Sequence, residues 1–381
     1  MSQIEFRKIT NRRERRQFLT FPWKVYQNDP LWVPPLIPEK MKIIDPQTGA
    51  FFKRGEAEFF SVWKAGRLVG TVCAAEDRYT NQARARNDCV FGFLEVVEDY
   101  QVFAAIIHHL DQWAQARGLD TLLGPFHLDY EDSYGVLVAG RDRPPALMCG
   151  HSPAYYLPFM QQAGFVPARA ANLAFAIDLR LTPQLARLSR IADHLRQKGQ
   201  IKIRQVNWDD WQAEIDRVHL LLKEALAWVE DGIPWHRDQL ESMVEPFRAI
   251  ADPELILFAE VDGRTVGWFP GVPNLNEVFI EVNGLRYPWD YLRLLAGMRR
   301  QPKSLTVKSV LVLPEYQKRG AAVLLFDELA RRARAKGYQW ADLSITSEDN
   351  PDTPQLAASM GAVEYKRWQV FERPVQSGSG G

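Results

Sequence analysis

The sequence predicts an α/β chain (α+β, with mixed sheets) organised as two tandem domains of like order. Three observations carry this. The chain has 381 residues, more than one hydrophobic core of roughly 250 residues sustains. Strand-like and helix-like stretches alternate throughout, in the order strand, helix, helix, hairpin, strand, helix, strand, and that order occurs twice. Two hairpins about half the chain apart carry the same turn motif, Arg67-Leu68-Val69-Gly70 and Arg264-Thr265-Val266-Gly267. A repeat that long fits a tandem domain and not a solenoid.

In the first half, Gln3 to Ile9 reads as a short strand, followed by a helix carrying Phe18, Trp23 and Tyr26. The stretch Asn28 to Leu36 holds too many prolines for a helix or a central strand. Phe59 to Trp63 and Leu68 to Ala75 form the first hairpin, and Cys89 to Val97 an apolar strand. Val102 to Ala116 has helical periodicity and stops at Gly118. Thr121 to Leu123 and Gly135 to Val138 are strands, Leu157 to Ala163 a helix. The strands from Phe165 close the first domain near Leu179. Thr182 and Pro183 then open a connector helix that ends at Gly199.

In the second half, Ile201 to Val206 is a strand and Asp209 to Glu230 a long amphipathic helix. Asp238 to Ile250 is a second helix, and Leu255 to Val261 with Thr265 to Phe269 the second hairpin. A helix from Pro288 to Arg299 precedes the strand Thr306 to Leu313. Trp340 to Ile345, a short helix Pro351 to Met360 and a last strand Val363 to Glu372 complete the domain. The expected boundaries are residues 1–180, a helical connector 181–199, a second domain 200–375 and a low-complexity tail 376–381.

Composition excludes several classes. Hydrophobic residues make up 46% and charged residues 25%, as in a soluble globular protein. Basic and acidic residues number 47 each, so no bulk field favours nucleic acid. The run Arg12, Arg13, Arg15, Arg16 reads as a solvated helix face. Three scattered cysteines show neither a disulfide framework nor zinc spacing, so no metal is expected and a reducing cytoplasm is. Asp129, Glu131 and Asp132 read as a solvated acidic loop, with an amine or metal site as the alternative. No signal peptide and no bilayer-spanning run is visible. Twelve tryptophans, several beside prolines, are either core or the frame of an apolar groove, core being the default. Oligomeric state is not legible.

The stretch around which the second half is organised is Ser309 to Gly337. A buried strand runs through Pro314 and the loop Gln317-Lys318-Arg319-Gly320-Ala321-Ala322 into a long helix. Backbone N–H groups of such a loop and of the helix's first turn converge on one point, where a phosphate can sit. Gly320 lets the backbone approach, and Ala321 and Ala322 keep side chains away. The equivalent place in the first half reads Glu98-Asp99-Tyr100-Gln101, with two acids that would repel a pyrophosphate.

With its proline, Gln317, Gly320, Ala322 and following helix in register, this stretch resembles the coenzyme A loop of the GNAT superfamily. Residues Ile201 to Glu372 resemble that superfamily. The whole chain resembles a bacterial group of tandem GNAT-like proteins with a degenerate first domain, some of which act in ceramide synthesis. The fragments that carry this wider resemblance are Asp29 to Leu36, Gly124-Pro125-Phe126, Pro273 to Asn276 and the loop. The resemblance implies direct transfer of an acyl group from acetyl-CoA or another acyl-CoA to a primary amine, on a small molecule or a lipid. On this chain it implies pyrophosphate held by Gln317 to Ala322, pantetheine along the backbone of Val310 and Val312, and a cofactor contact from Asn350. The family's usual proton-donating tyrosine falls on Ala357, and the glutamate some members carry before the loop is missing from Thr306-Val307-Lys308. Glu230 and Tyr365 are the substitute catalytic candidates by position, with Asp231 beside Glu230. Acetyl transfer is the main expectation. Long-chain acyl transfer to a lipid amino-alcohol, and a non-catalytic coenzyme A sensor, are the alternatives.

Overall fold

Both hairpins expected from the repeated turn motif form, and they turn alike. Gly55–Lys64 pairs antiparallel with Arg67–Asp77, and Ile256–Val261 with Arg264–Pro273. Ala65 and Gly66, like Asp262 and Gly263, all have positive φ. Two successive left-handed residues make the tight hairpin turn whose twist matches the strands it joins. The computed structural model describes residues 3–128, 134–180, 182–225, 237–248, 250–308, 310–350 and 353–376.

The chain divides into two units, residues 1–172 with 278–299 and 366–381, and residues 173–277 with 300–365. In the first, the sheet runs in the order Ile4–Lys8, Gly55–Lys64, Arg67–Asp77, Asp88–Val96, Thr121–Gly124, Phe371–Pro374, Val166–Pro167. Alternate residues of its strands face opposite ways. Phe60, Val62, Val72 and Ala74 meet Val102, Phe103, Ile106 and Leu110 of the helix Tyr100–Gln115. Phe59, Cys73 and Ala75 pack on the other face against Phe18, Leu19, Ile37 and Ile44.

In the second unit, the sheet runs from Lys202–Gln205 through the second hairpin to Ser304–Val307, Trp340–Ser347, Asn172–Asp178 and Val363–Gln369. Ile215, Val218 and Leu222 of the helix Trp211–Ala225 and Leu325 and Leu329 of the helix Ala321–Ala335 share its core. The connector helix is Pro183–Lys198, capped by the Thr182 side chain and ended by left-handed Gly199.

Three segments lie elsewhere than chain order suggests. Asn172–Asp178, read as closing the first domain, is a strand of the second unit's sheet. The expected last strand Val363 to Glu372 breaks at Val370, and Phe371–Pro374 pairs with Thr121–Gly124 in the first unit. There Arg373 and Asp111, both buried, form an ion pair at 2.5 Å. Residues 278–299 also belong to the first unit. Alternation identifies a strand but not its neighbour, so two apolar strands of similar length can exchange sheets without trace in the pattern.

Candidate active site

The loop singled out from the sequence ends a strand that parts from its neighbour. Ser304–Val307 pairs in parallel with Trp340–Ser347, from Ser304 opposite Trp340 to Val307 opposite Leu343. Beyond Val307 the strand resumes only at Leu311–Val312, which pairs with Gly267 and Trp268 of the hairpin. The expected continuous strand Thr306 to Leu313 is therefore interrupted, and Trp340–Ser347 continues without that partner past Leu343. Val310 lies outside any strand and is exposed, whereas Val312 is buried and held opposite Gly267.

Pro314–Gln317 forms a single helical turn, and Gly320 then caps the helix Ala321–Ala335. Gly320 has a φ of 88°, and a Cβ there would lie 2.4 Å from Cδ1 of Leu195 on the connector helix. Both the left-handed backbone and the close approach require glycine. No side chain caps this helix, so the amides of Ala321, Ala322 and Val323 have no acceptor within it. Gln317, Lys318 and Arg319 are exposed around that end, and Ala321 is buried. The Gln317 side-chain Nε2 donates to the Val312 carbonyl at 3.4 Å, and the Arg319 guanidinium lies 5.2 Å over the Tyr316 ring. Unmet amides, a helix's positive end and two cations suit an anion such as a pyrophosphate.

Where the strands part, four side chains meet that sequence reasoning did not assemble. The Lys308 ammonium donates to Ser344 Oγ at 2.7 Å, and Ser344 donates to Asp342 Oδ2 at 2.6 Å. The Tyr365 hydroxyl donates to Asp342 Oδ1 at 2.6 Å. Asp342 is fully buried, and Lys308 Nζ lies 4.0 Å from its Oδ2. Alternation along Trp340–Ser347 puts Asp342 and Ser344 on one face; register opposite Lys308 is what the sequence does not reveal.

The remaining predicted residues separate. Tyr365 is buried with its hydroxyl on Asp342, which ties it to this site. Asn350 accepts from the Thr353 amide, the first of the helix Thr353–Ser359, at 2.8 Å. Ala357 is fully buried against Leu173 and Phe175, which leaves no room for a tyrosine. Glu230 and Asp231, and the acidic loop of Asp129, Glu131 and Asp132, lie outside the described residues. Among the described residues no group of three or more His, Cys, Asp or Glu could hold a metal ion.

The corresponding corner of the first unit is closed by its own side chains. Asp99 caps the helix Tyr100–Gln115, accepting from the amides of Gln101 and Val102. Lys64 Nζ sits 2.6 Å from the same carboxylate and, as its hydrogen-bond partner, holds it below the usual range. The sequence reading had these acids repelling a phosphate; Asp99 instead takes its place. The Tyr156 hydroxyl accepts from the Val96 amide at 3.0 Å and donates to Glu95 at 2.8 Å, while Tyr155 donates to the Val96 carbonyl at 2.6 Å. Glu95 keeps some surface, yet burial of its carboxyl pushes it up to about 8.

Residues 208–362 match the acetyltransferase (GNAT) family. Over 368 residues the chain is 27% identical to a bacterial ceramide synthase of Caulobacter vibrioides (strain NA1000 / CB15N), with 95% of each chain covered. It is 25% identical to protein YghO of Escherichia coli (strain K12), over 97% of this chain and 95% of that one. Among solved structures it resembles a tandem GNAT protein from the clavulanic acid biosynthesis pathway, at a TM-score of 0.60 and 13% identity, over 99% and 100% of the two chains. A GCN5-related N-acetyltransferase from Sphaerobacter thermophilus superposes with a TM-score of 0.53 and 15% identity, over 98% and 96%.

Proposed function

We propose that this chain, a tandem GNAT-fold protein whose acetyltransferase-family domain is residues 208–362, transfers an acyl group from an acyl-CoA to the primary amine of a lipid. The observation that carries the donor is the uncapped helix end at Gly320, beside the point where two parallel strands part. The lipid acceptor is supported by the likeness to a bacterial ceramide synthase along nearly the whole of both chains.

In this reading the amides from Gln317 to Ala322 hold the donor's pyrophosphate, with Lys318 and Arg319 adding charge. Backbone at Val310, just before the strand Leu311–Val312, and at Val312 lines the arm, and Asn350 orders the turn after the neighbouring strand. Acyl-CoA supplies a thioester carbonyl open to attack. The amine must be neutral to attack it, so its proton has to pass to a base or to water. Glu230 is the acidic candidate on the acceptor side.

Lys308 supplies the positive charge. Its ammonium is held by Ser344 Oγ at 2.7 Å and lies 4.0 Å from the buried Asp342 carboxylate. An ammonium fixed in advance stabilises the negative charge that develops on the carbonyl oxygen and then on the departing sulfur. Ser344 accepts directly from the Lys308 ammonium and donates to Asp342, and Tyr365 donates to the same carboxylate, so both are positioning residues.

Release of free thiol from acetyl-CoA and from palmitoyl-CoA, with a long-chain amino-alcohol as acceptor, tests the reading. Faster turnover of the palmitoyl donor with that acceptor is expected; turnover of acetyl-CoA on small amines alone would remove the lipid assignment. Lys308→Met should lower kcat by about 10²–10³-fold while leaving the thermal shift induced by coenzyme A intact, and Lys308→Arg should restore part of the rate. An unchanged kcat in Lys308→Met would exclude the role given to Lys308.

A further inference from the structure

Six of the eleven large apolar side chains that are exposed among the described residues fall within residues 287–298. Scattered exposed hydrophobics are ordinary; a cluster of this density marks an interaction surface. The segment centres on the helix Pro288–Gly297, with Pro288 at its first position and the Asp290 carboxylate accepting from the Tyr287 amide at 3.0 Å. Leu292 is 68% exposed, Leu295 62%, Trp289 54% and Tyr291 46%. At about 100° per residue these four and Met298 occupy one side of the helix, with Trp289 at its rim. The opposite side is held to the unit. Asp290 and Gly297 are buried, and a Cβ on Gly297 would meet Val278 at 2.5 Å.

The preceding turn is pinned to the same unit. Trp23 Nε1 donates to Asn283 Oδ1 at 2.7 Å, Arg16 donates to the Arg286 carbonyl at 2.8 Å, and the Arg286 guanidinium lies 4.6 Å over Trp23. The apolar side is thus presented outward by a fixed base.

Charge selects the occupant. Within residues 286–299 of this unit the sole acid is Asp290, fully buried and 3.2 Å from Arg293, whereas Arg299 is exposed and Arg286 half-buried. A symmetric contact between two copies would set these cations against each other. An anionic lipid surface complements them, and Tyr287 and Trp289, stacked at 4.8 Å, are the residue types that favour the headgroup level. No helix among the described residues is long and apolar enough to cross a membrane; a short helix with one apolar side and basic flanks suits the plane of the headgroups.

We propose that Pro288–Gly297 docks the protein on the surface of a membrane rich in anionic lipid, with Leu292 and Leu295 entering the acyl boundary and the arginines meeting headgroups. Flotation of the full chain with vesicles tests this without reading turnover, so it stands or falls separately from the transferase assignment. Binding is expected to vesicles of equal parts phosphatidylglycerol and phosphatidylcholine, to weaken with salt, and to be slight with phosphatidylcholine alone. Leu292→Ser with Leu295→Ser should weaken it about tenfold or more, and Trp289→Ser serves as a second, milder variant; thermal melting verifies that both fold. Arg299→Gln should reduce the preference for the anionic vesicles. Absence of flotation, or flotation indifferent to these substitutions, overturns the proposal. A concentration-dependent dimer lost in the leucine variant, without vesicle binding, would overturn it in favour of a second copy.

Discussion

The two units each bring a strand to a corner and start a helix there, yet one corner is closed and the other open. In the first, a carboxylate caps the helix and two tyrosine hydroxyls take the amide and the carbonyl of Val96. In the second, the cap is a glycine and the helix's first amides are left without an internal acceptor. The difference lies in a handful of side chains, not in the fold. An anion site at a helix end persists only where the chain declines to cap that end itself, because the cap and the ligand compete for the same donors.

The largest effect expected from disturbing this contrast is at Gly320. Gly320→Val forces a β-branched residue to positive φ, at about 1–2 kcal/mol. It also drives a Cβ into Leu195, where overpacking costs about 1–3 kcal/mol more. Melting should fall by several degrees, and the stabilisation by coenzyme A should vanish. Retention of that stabilisation at the lowered melting temperature would place the anion site elsewhere.

The open corner was legible in the sequence because its signal is local: proline, glycine and small residues at fixed offsets before an amphipathic helix. Most elements were legible for the same reason, as the Thr182 cap and the Asp262-Gly263 turn show. At the closed corner charge alone marks Asp99; that its carboxylate also takes the helix's first amides is not anticipated by a charge argument. The Lys308, Ser344, Asp342 and Tyr365 cluster was not legible, because it depends on which strands lie together and in what register. The exchanged strands at 172–178 and 371–374 escaped for that reason too.

A second disturbance reads the closed corner through pH. Burial raises the Glu95 carboxyl to about 8, so the folded state holds its proton over a range where the unfolded chain releases it. The stability this proton contributes is present below the ordinary carboxyl range and is lost as pH rises towards 8. Glu95→Gln cannot titrate. Its melting temperature should match the wild type near pH 5 and exceed it by a few degrees near pH 8. Parallel pH curves for the two proteins would show that Glu95 is ionised alike in folded and unfolded chains.

The smallest effect bears most directly on what keeps the first corner closed. Asp99→Ala removes a helix cap and the partner of Lys64, at about 1 kcal/mol. Its carboxyl is held low in the fold, so the contribution exists above the ordinary carboxylate pKa and disappears as pH falls through the lowered one. Mutant and wild type should differ at neutral pH and converge in acid. The amides of Gln101 and Val102 are then free to meet an anion, which makes this corner resemble the one at Gly320. Even so, coenzyme A should still bind once per chain in calorimetry, because Tyr155 and Tyr156 continue to occupy the backbone of Val96. A second equivalent bound by Asp99→Ala would mean that the cap alone closes the site and that the tyrosines merely fill it.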